Sequence, residues 1–551
     1  MRMDGLFKIF TLIIILANLT WAQEVFVKLP QGFIRGRVLE TFNKAKYYAF
    51  QQIPYADPPI GELRFKPPTE PSMWQGVLNT TENTKICYQI GVEDDRENED
   101  CLYLNVYTPK EPVTEGILPV IVYVHGGAFI MGNSVLESTG PEFLMDYNVV
   151  VVTVQYRLGA FGFLSTQDEV IPGNNGLKDI LFALEWVKTY ITLFGGNPNK
   201  VTLAGQSAGA ALVGYHVISE KSEGLFRAAI MESGSALCSW AYQRYSRKYA
   251  YQLASSINNN FTADSTSEEL LKFLQRVSPQ EINNAKFEGP SGLQLGQGDI
   301  FAPVIEVKHE GAFITQFMHT RLLTGRFNRV PTLIGVNSEE LIYLAGDIDG
   351  FKNQMQQYDG NISLIVNEDY NVKSEDLIHV GNMIRNIYTN RSFADDLGAS
   401  IRFRSDVRYT TAIAAQAALQ SRYSEVYFYE FSYHGFLGNN IVVEGAGRVA
   451  HSEELNFLWS NPNNKDITKY PPNDVITLLR MLKLWTQFAT YMNPTSEEIP
   501  LLQDVDWPEV SPTNFSYLEI GEELTIKENP KKYKEWKAII DEFGNGPFDT
   551  Y

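Results

Sequence analysis

Apolar residues arrive along the chain in short β-branched runs separated by helical stretches. Pro119-Val-Ile-Val-Tyr-Val124, Val149-Val-Val-Val-Thr-Val-Gln-Tyr156, Val201-Thr-Leu-Ala204, Ala228-Ala-Ile-Met231, Pro331-Thr-Leu-Ile-Gly-Val336 and Val426-Tyr-Phe-Tyr-Glu-Phe431 each predict a strand buried on both faces. Between the second and third runs, Leu177, Ile180, Leu181, Leu184 and Val187 share one face of a predicted helix over 175–190. A further apolar helix is predicted from Ala210 to Ser219. Buried strands alternating with helices indicate an α/β fold: a large, mostly parallel sheet flanked by helices.

One junction in this pattern carries chemistry. The run Val201–Ala204 leads into Gly205-Gln-Ser-Ala-Gly209, which fits G-x-S-x-G, and then into the apolar helix. Strand, tight turn and helix together form the context of a nucleophile elbow, with Ser207 lifted to the tip. A side chain at either flanking glycine would crowd such a turn. Upstream, His125-Gly126-Gly127 follows a strand, where open α/β sheets place their sites. The amides of Gly126, Gly127 and Ala208 are the expected donors to an oxyanion.

An α/β-hydrolase order requires an acid and then a histidine after the serine. Glu339 and Glu340 follow the strand ending at Val336, and both stay open as the acid on this argument. Of the seven histidines, His434 and His451 lie after the run 426–431. The glycine-rich stretch Gly445-Ala-Gly-Arg-Val-Ala-His451 is freer to reach the serine, which favours His451.

The remaining composition bounds compartment and partners. Met1–Ala22 has a basic start, a short apolar core and a small residue at its end, which predicts a secretory signal cleaved after Ala22. No later run reaches the roughly 20 apolar residues of a membrane span, and the C-terminus has neither an apolar tail nor a retention signal. A secreted, extracellular protein with one large domain over 23–551 is expected. The formal charge of −19 argues against nucleic acid and anionic membranes. Cys87 and Cys101 enclose a short polar loop and are the natural disulfide in an oxidising compartment, leaving Cys238 as a buried free thiol. Sequons at Asn79, Asn260, Asn361, Asn390 and Asn514 fit a glycosylated surface. No spaced Cys/His cluster suggests a metal, and acyl transfer needs no cofactor.

Several collinear motifs carry a family resemblance over Val25 to about Phe515. They are Glu99-Asp-Cys-Leu-Tyr-Leu-Asn105, Gly126-Gly127, Tyr156-Arg-Leu-Gly-Ala-Phe-Gly162, Asn174-Asn-Gly-Leu-Lys-Asp179, Phe194-Gly-Gly-Asn-Pro198, Gly205–Gly209 and Glu232-Ser-Gly-Ser235. On these the chain resembles the type-B carboxylesterase and cholinesterase family, of the α/β-hydrolase fold, and secreted insect carboxylesterases within it. The resemblance implies Ser207 as nucleophile, Glu340 as acid and His451 as base. It also implies ion pairs Arg64–Glu99 and Arg157–Asp179, and Ser233 beside Glu340. Five positions depart from the pattern: Leu341 and Arg448 stand where glycines are usual, Ile180 replaces a glutamine, and Asn258 and Phe273 lie where a second disulfide would be.

Substrate class follows from charge. The short loop between Cys87 and Cys101 has no tryptophan and Gln206 is neutral, so the resemblance points away from choline esters and toward neutral, apolar esters such as volatile acetates or xenobiotics. Gln206 also resembles the elbow of juvenile hormone esterases, which makes that hormone an alternative. A different class, adhesion or binding proteins of the same fold, has lost the serine that this chain keeps. Ser265 to Gly298 is a candidate lining of the acyl pocket.

Overall fold

The computed structural model describes residues 24–112, 117–262, 264–289, 293 and 295–550. The predicted leader over 1–22 lies outside the described residues, as do positions 290–292 and 294 of the stretch from Ser265 to Gly298.

Thirteen strands among the described residues form one sheet. In chain order they are β1 (Glu24–Leu29), β2 (Gly32–Glu40), β3 (Lys46–Pro54), β4 (Val77–Asn79), β5 (Tyr103–Thr108), β6 (Leu118–Val124) and β7 (Val150–Val154). There follow β8 (Gly196–Gln206), β9 (Ala228–Glu232), β10 (Thr332–Asn337), β11 (Val426–Phe431), β12 (Ser516–Ile520) and β13 (Leu524–Glu528). The spatial order is β1-β2-β3-β5-β7-β6-β8-β9-β10-β11-β12-β13, with β4 beside β2. From β7 to β12 every neighbouring pair is parallel, and antiparallel strands close both ends.

The six predicted strands are β6 to β11, the middle of this sheet. Their unbroken apolar runs follow from burial on both faces. Along β6, Val120, Val122 and Val124 enter one core while Ile121 and Tyr123 enter the other. The first core is covered by helices α1 (Asn175–Tyr190), α2 (Ala208–Ile218) and α3 (Thr411–Gln420), and the second by α4 (Pro472–Tyr491). Each fully buried aliphatic side chain contributes about 1.5–3 kcal/mol relative to exposure, so the two cores fix the sheet's register. The run 426–431 is not the last strand, since β12 and β13 follow it.

Cys87 and Cys101 form a disulfide, and Cys238 is buried and free. Arg64 meets Glu99 through two bonds of 2.6 Å, and Arg157 meets Asp179 at 2.8 and 2.6 Å. Asn79, Asn260, Asn361, Asn390 and Asn514 are all exposed. No helix among the described residues is long and apolar enough to cross a membrane.

Candidate active site

The elbow is built by strain. Ser207 has φ 57° and ψ −124°, far from the regions L-residues favour, at a cost of about 1–3 kcal/mol. The parallel strands on either side hold the turn in place: the Ser207 amide donates to the Glu232 carbonyl at 2.8 Å. Gly209 lets α2 pass directly over β6, because a Cβ there would lie 2.1 Å from the Val124 carbonyl oxygen. With Ser207 immediately before α2, the unpaired amide of Ala208 opens the helix toward the serine.

Three loops converge on the serine. His451 Nε2 lies 2.8 Å from Ser207 Oγ, and His451 Nδ1 lies 2.6 Å from Glu340 Oε2. The other Glu340 oxygen accepts from Ser233 Oγ and from the Asn337 amide, both at 2.7 Å. A further bond, from the His451 amide to the Glu340 carbonyl at 3.0 Å, ties the two loops together. Of the adjacent acids, Glu340 therefore faces the histidine, while Glu339 accepts from the Gly447 amide at 2.8 Å. His434 lies elsewhere: its Nε2 meets Arg448 Nη2 at 2.8 Å.

The departures from the family pattern find local partners. Leu341 has φ −110°, a conformation open to any residue, and its amide donates to Ser405 Oγ at 3.0 Å. Arg448 is occupied by His434. Ile180 is wholly buried in the core under α1, and Phe273 stacks on Phe261 with ring centroids 4.5 Å apart.

Electrostatics favour a charged histidine. Burial opposes the imidazolium of His451, but the hydrogen bond and charge of Glu340, then the charge of Glu454, outweigh it and raise its pKa. Behind the relay, burial and then the Glu340 charge push Glu454 up to about 7. Glu232 is raised well above the ordinary carboxyl range, first by burial and then by Glu454.

The glycine turn after β6 packs against the elbow. Gly127 has φ 112°, and a Cβ there would meet the Met131 carbonyl oxygen at 2.1 Å. Ala128 and Phe129 continue in the left-handed region at φ 52° and 62°. Among the described residues, no backbone carbonyl outside regular helices and strands takes the amides of Gly126, Gly127 or Ala128. Ala128 thus adds a third amide without such a partner in the turn, unseen in the sequence because an alanine does not advertise a left-handed backbone.

Two further side chains lie against the histidine, a contact that sequence pattern indicated for neither. Gln206 donates to Ser452 Oγ at 2.8 Å and its Nε2 lies 3.4 Å from His451 Nε2. The Tyr409 ring packs on the His451 ring, centroids 4.7 Å apart, from a π-helical turn over Asp406–Thr410. Beside Ala128 opens a cavity of about 530 Å³ whose walls include Trp240, Phe287, Phe301 and Arg408, so part of the stretch from Ser265 to Gly298 lines it.

A family model described as "Carboxylesterase family" matches residues 23–536. A protein of Bombus ignitus called carboxylic ester hydrolase is 33% identical over 540 residues, 93% of each chain. A juvenile hormone esterase of Tribolium castaneum is 31% identical, covering 86% of this chain and 84% of its own. Among solved structures, the juvenile hormone esterase of Manduca sexta with covalently attached OTFP superposes with a TM-score of 0.81 at 26% identity. That likeness covers 94% of this chain and all of that one. A strained serine at the head of a parallel sheet, a histidine and buried acid behind it, and these matches across the chain lead to one conclusion: this chain belongs to the carboxylesterase family.

Proposed function

We propose that the protein is a secreted serine esterase that cleaves neutral, apolar carboxylic esters through an acyl-enzyme. The observation that carries this reading is the relay of 2.6 and 2.8 Å from Glu340 through His451 to a serine held in a strained turn. His451 Nε2 removes the Ser207 proton as Oγ bonds to the ester carbonyl carbon. The carbonyl oxygen becomes an oxyanion, received by the free amides of Gly126, Gly127 or Ala128 and by Ala208 at the start of α2. Glu340 holds the imidazole in one tautomer and stabilises its charged form. The carbon–oxygen bond to the alcohol then breaks, and His451 returns the proton to the departing oxygen. Water repeats the sequence, releasing the acid and restoring Ser207.

Substrate class rests on the walls. Gln206 is neutral, and the 530 Å³ cavity is largely apolar. Its charged residues Arg408 and Asp299 face each other at 3.7 Å, and Lys286 in the wall repels a quaternary ammonium. Juvenile hormone is the second reading, favoured by Gln206 at the elbow and by the 0.81 likeness to the Manduca sexta enzyme. Secretion is supported by the leader, the Cys87–Cys101 disulfide and five exposed sequons.

The test is turnover of p-nitrophenyl esters from acetate to octanoate, with volatile acetates and juvenile hormone compared directly. A pre-steady-state burst is expected, abolished with turnover in Ser207→Ala. Turnover that survives in Ser207→Ala refutes the acyl-enzyme. No serine-dependent turnover on any ester refutes the enzyme and favours a binding protein.

A further inference from the structure

After β13 the backbone makes an unusual turn. Asn529, Lys531 and Lys532 all adopt left-handed torsions, with φ 56°, 45° and 63°, a conformation disfavoured for residues with a side chain. The turn drives Lys531 inward. Its Nζ donates to the backbone carbonyl of Ser338 and lies 3.3 Å from Glu430 Oε1, and its side chain is only 20% exposed.

The groups around this ammonium come from four elements. Glu430 lies on β11 and is bonded to Tyr517 of β12. Glu339 lies on the loop after β10, near Arg402. Asp406 lies on the π-helical turn, bonded to Tyr388 at 2.8 Å. Burial opposes the charge on Lys531, but Glu430, Glu339 and Asp406 outweigh it and raise its pKa. The same burial pushes Asp406 up to about 7.

Ser338 and Glu339 add to the bonds that tie the acid loop to the histidine loop. Val449 donates its amide to Ser338 Oγ at 3.2 Å, Glu339 donates its amide to the Val449 carbonyl at 2.9 Å, and Gly447 donates to the Glu339 carboxylate at 2.8 Å. Lys531 holds the Ser338 carbonyl from the other side, with Glu339 within reach of its charge, across nearly two hundred residues of sequence.

We infer that Lys531 is a positioning residue for the relay. It binds the Ser338 carbonyl and compensates the Glu339 charge, and so fixes the acid loop against the histidine loop with Glu340, not Glu339, facing His451. Without the ammonium, Glu339 loses its strongest countercharge and keeps only the weaker field of Arg402, and its best escape breaks the bond to Gly447. The kinetic part of the test rests on the esterase reading, and the exchange part on loop geometry alone.

The experiment compares Lys531→Met with the unmodified protein. The expected kcat on p-nitrophenyl butyrate falls about tenfold, as small misplacements of a reacting group do, with KM within about twofold. Lys531→Arg, which keeps charge and donors, restores most of the loss. The double variant Lys531→Met/Glu339→Gln, which removes both charges, recovers activity relative to Lys531→Met. Hydrogen exchange at Glu339, Val449 and His451 quickens in Lys531→Met while α4 is unchanged. If Lys531→Met does not accumulate, Lys531→Gln is read on the same measurements. Wild-type kcat with unchanged exchange overturns the inference, as does exchange that quickens equally in α4. Absence of turnover in the unmodified protein counts against the esterase reading, and the exchange comparison then decides the role of Lys531.

Discussion

Glu340→Gln isolates the acid of the relay with little change in volume. The wild-type carboxylate is wholly buried and has three partners, Ser233 Oγ, the Asn337 amide and His451 Nδ1. Glutamine offers one acceptor oxygen. If that oxygen stays with Ser233 and Asn337, the amide NH2 faces Nδ1, and Nδ1 must accept. The ring proton then sits on Nε2, where it blocks proton transfer from Ser207. The charge is lost as well. With charge centres about 4 Å apart and an effective dielectric of about 20, the attraction for an imidazolium is worth about 4 kcal/mol. That corresponds to about a thousandfold in rate, and the tautomer change extends the expected loss in kcat toward about ten thousandfold.

The assay is kcat and KM on p-nitrophenyl butyrate across pH, with circular dichroism to verify folding. The histidine accepts a proton only in its neutral form, so kcat/KM falls as pH drops through its pKa. Burial alone would place that pKa low, and Glu340 with Glu454 holds it above the ordinary value. Removing the Glu340 charge therefore moves the acid limb of the residual activity to lower pH. A folded variant that keeps more than about a tenth of wild-type kcat, or whose acid limb stays in place, refutes the reasoning.

His451→Ala should lose turnover by several orders of magnitude while His434→Ala stays within a few-fold of wild type, because His434 contacts Arg448 and not the serine; kcat on one ester decides, and equal losses refute the assignment. Gly209→Ala should destabilise by about 1–3 kcal/mol or more, because the new methyl meets a main-chain oxygen rather than a movable side chain; thermal melting measures this, and an unchanged melting temperature refutes the packing argument. Cys238 is buried and its thiol pKa is pushed up, first by burial. Native protein should therefore resist iodoacetamide at pH 8, with one equivalent reacting after denaturation, as mass spectrometry would show; native labelling would refute the burial.

Sequence patterning revealed the centre of the sheet better than its edges, for a physical reason. Strands β6 to β11 are covered on both faces and read as continuous apolar runs. β1 alternates, with Phe26 47% exposed, and most of β13 faces solvent, so neither stands out from a polar loop. The elbow was legible because the motif is local: the glycines, the serine and the two elements they join lie within about twenty residues. The cysteine pair was legible for a similar reason, being separated by 14 residues.

Pairings across long separations were legible only through the family resemblance, not from local pattern. Two adjacent glutamates are equivalent in a sequence, and what separates them is the company each finds after folding. Glu340 meets His451, Ser233 and Asn337, whereas Glu339 meets Gly447 and the field of Lys531. Tyr409 reaches the histidine only because a π-helical turn re-aims it, and Ala128 frees an amide only because its backbone turns left-handed. By itself the sequence determined the sheet's apolar interior, the strained serine and the kinds of residue available to serve it, since these follow from local periodicity and turn sterics. The tertiary structure decided which of the two glutamates meets the histidine and brought Lys531 to the Ser338 carbonyl, because hydrogen bonds and buried charges depend on distance in space, which chain order does not record.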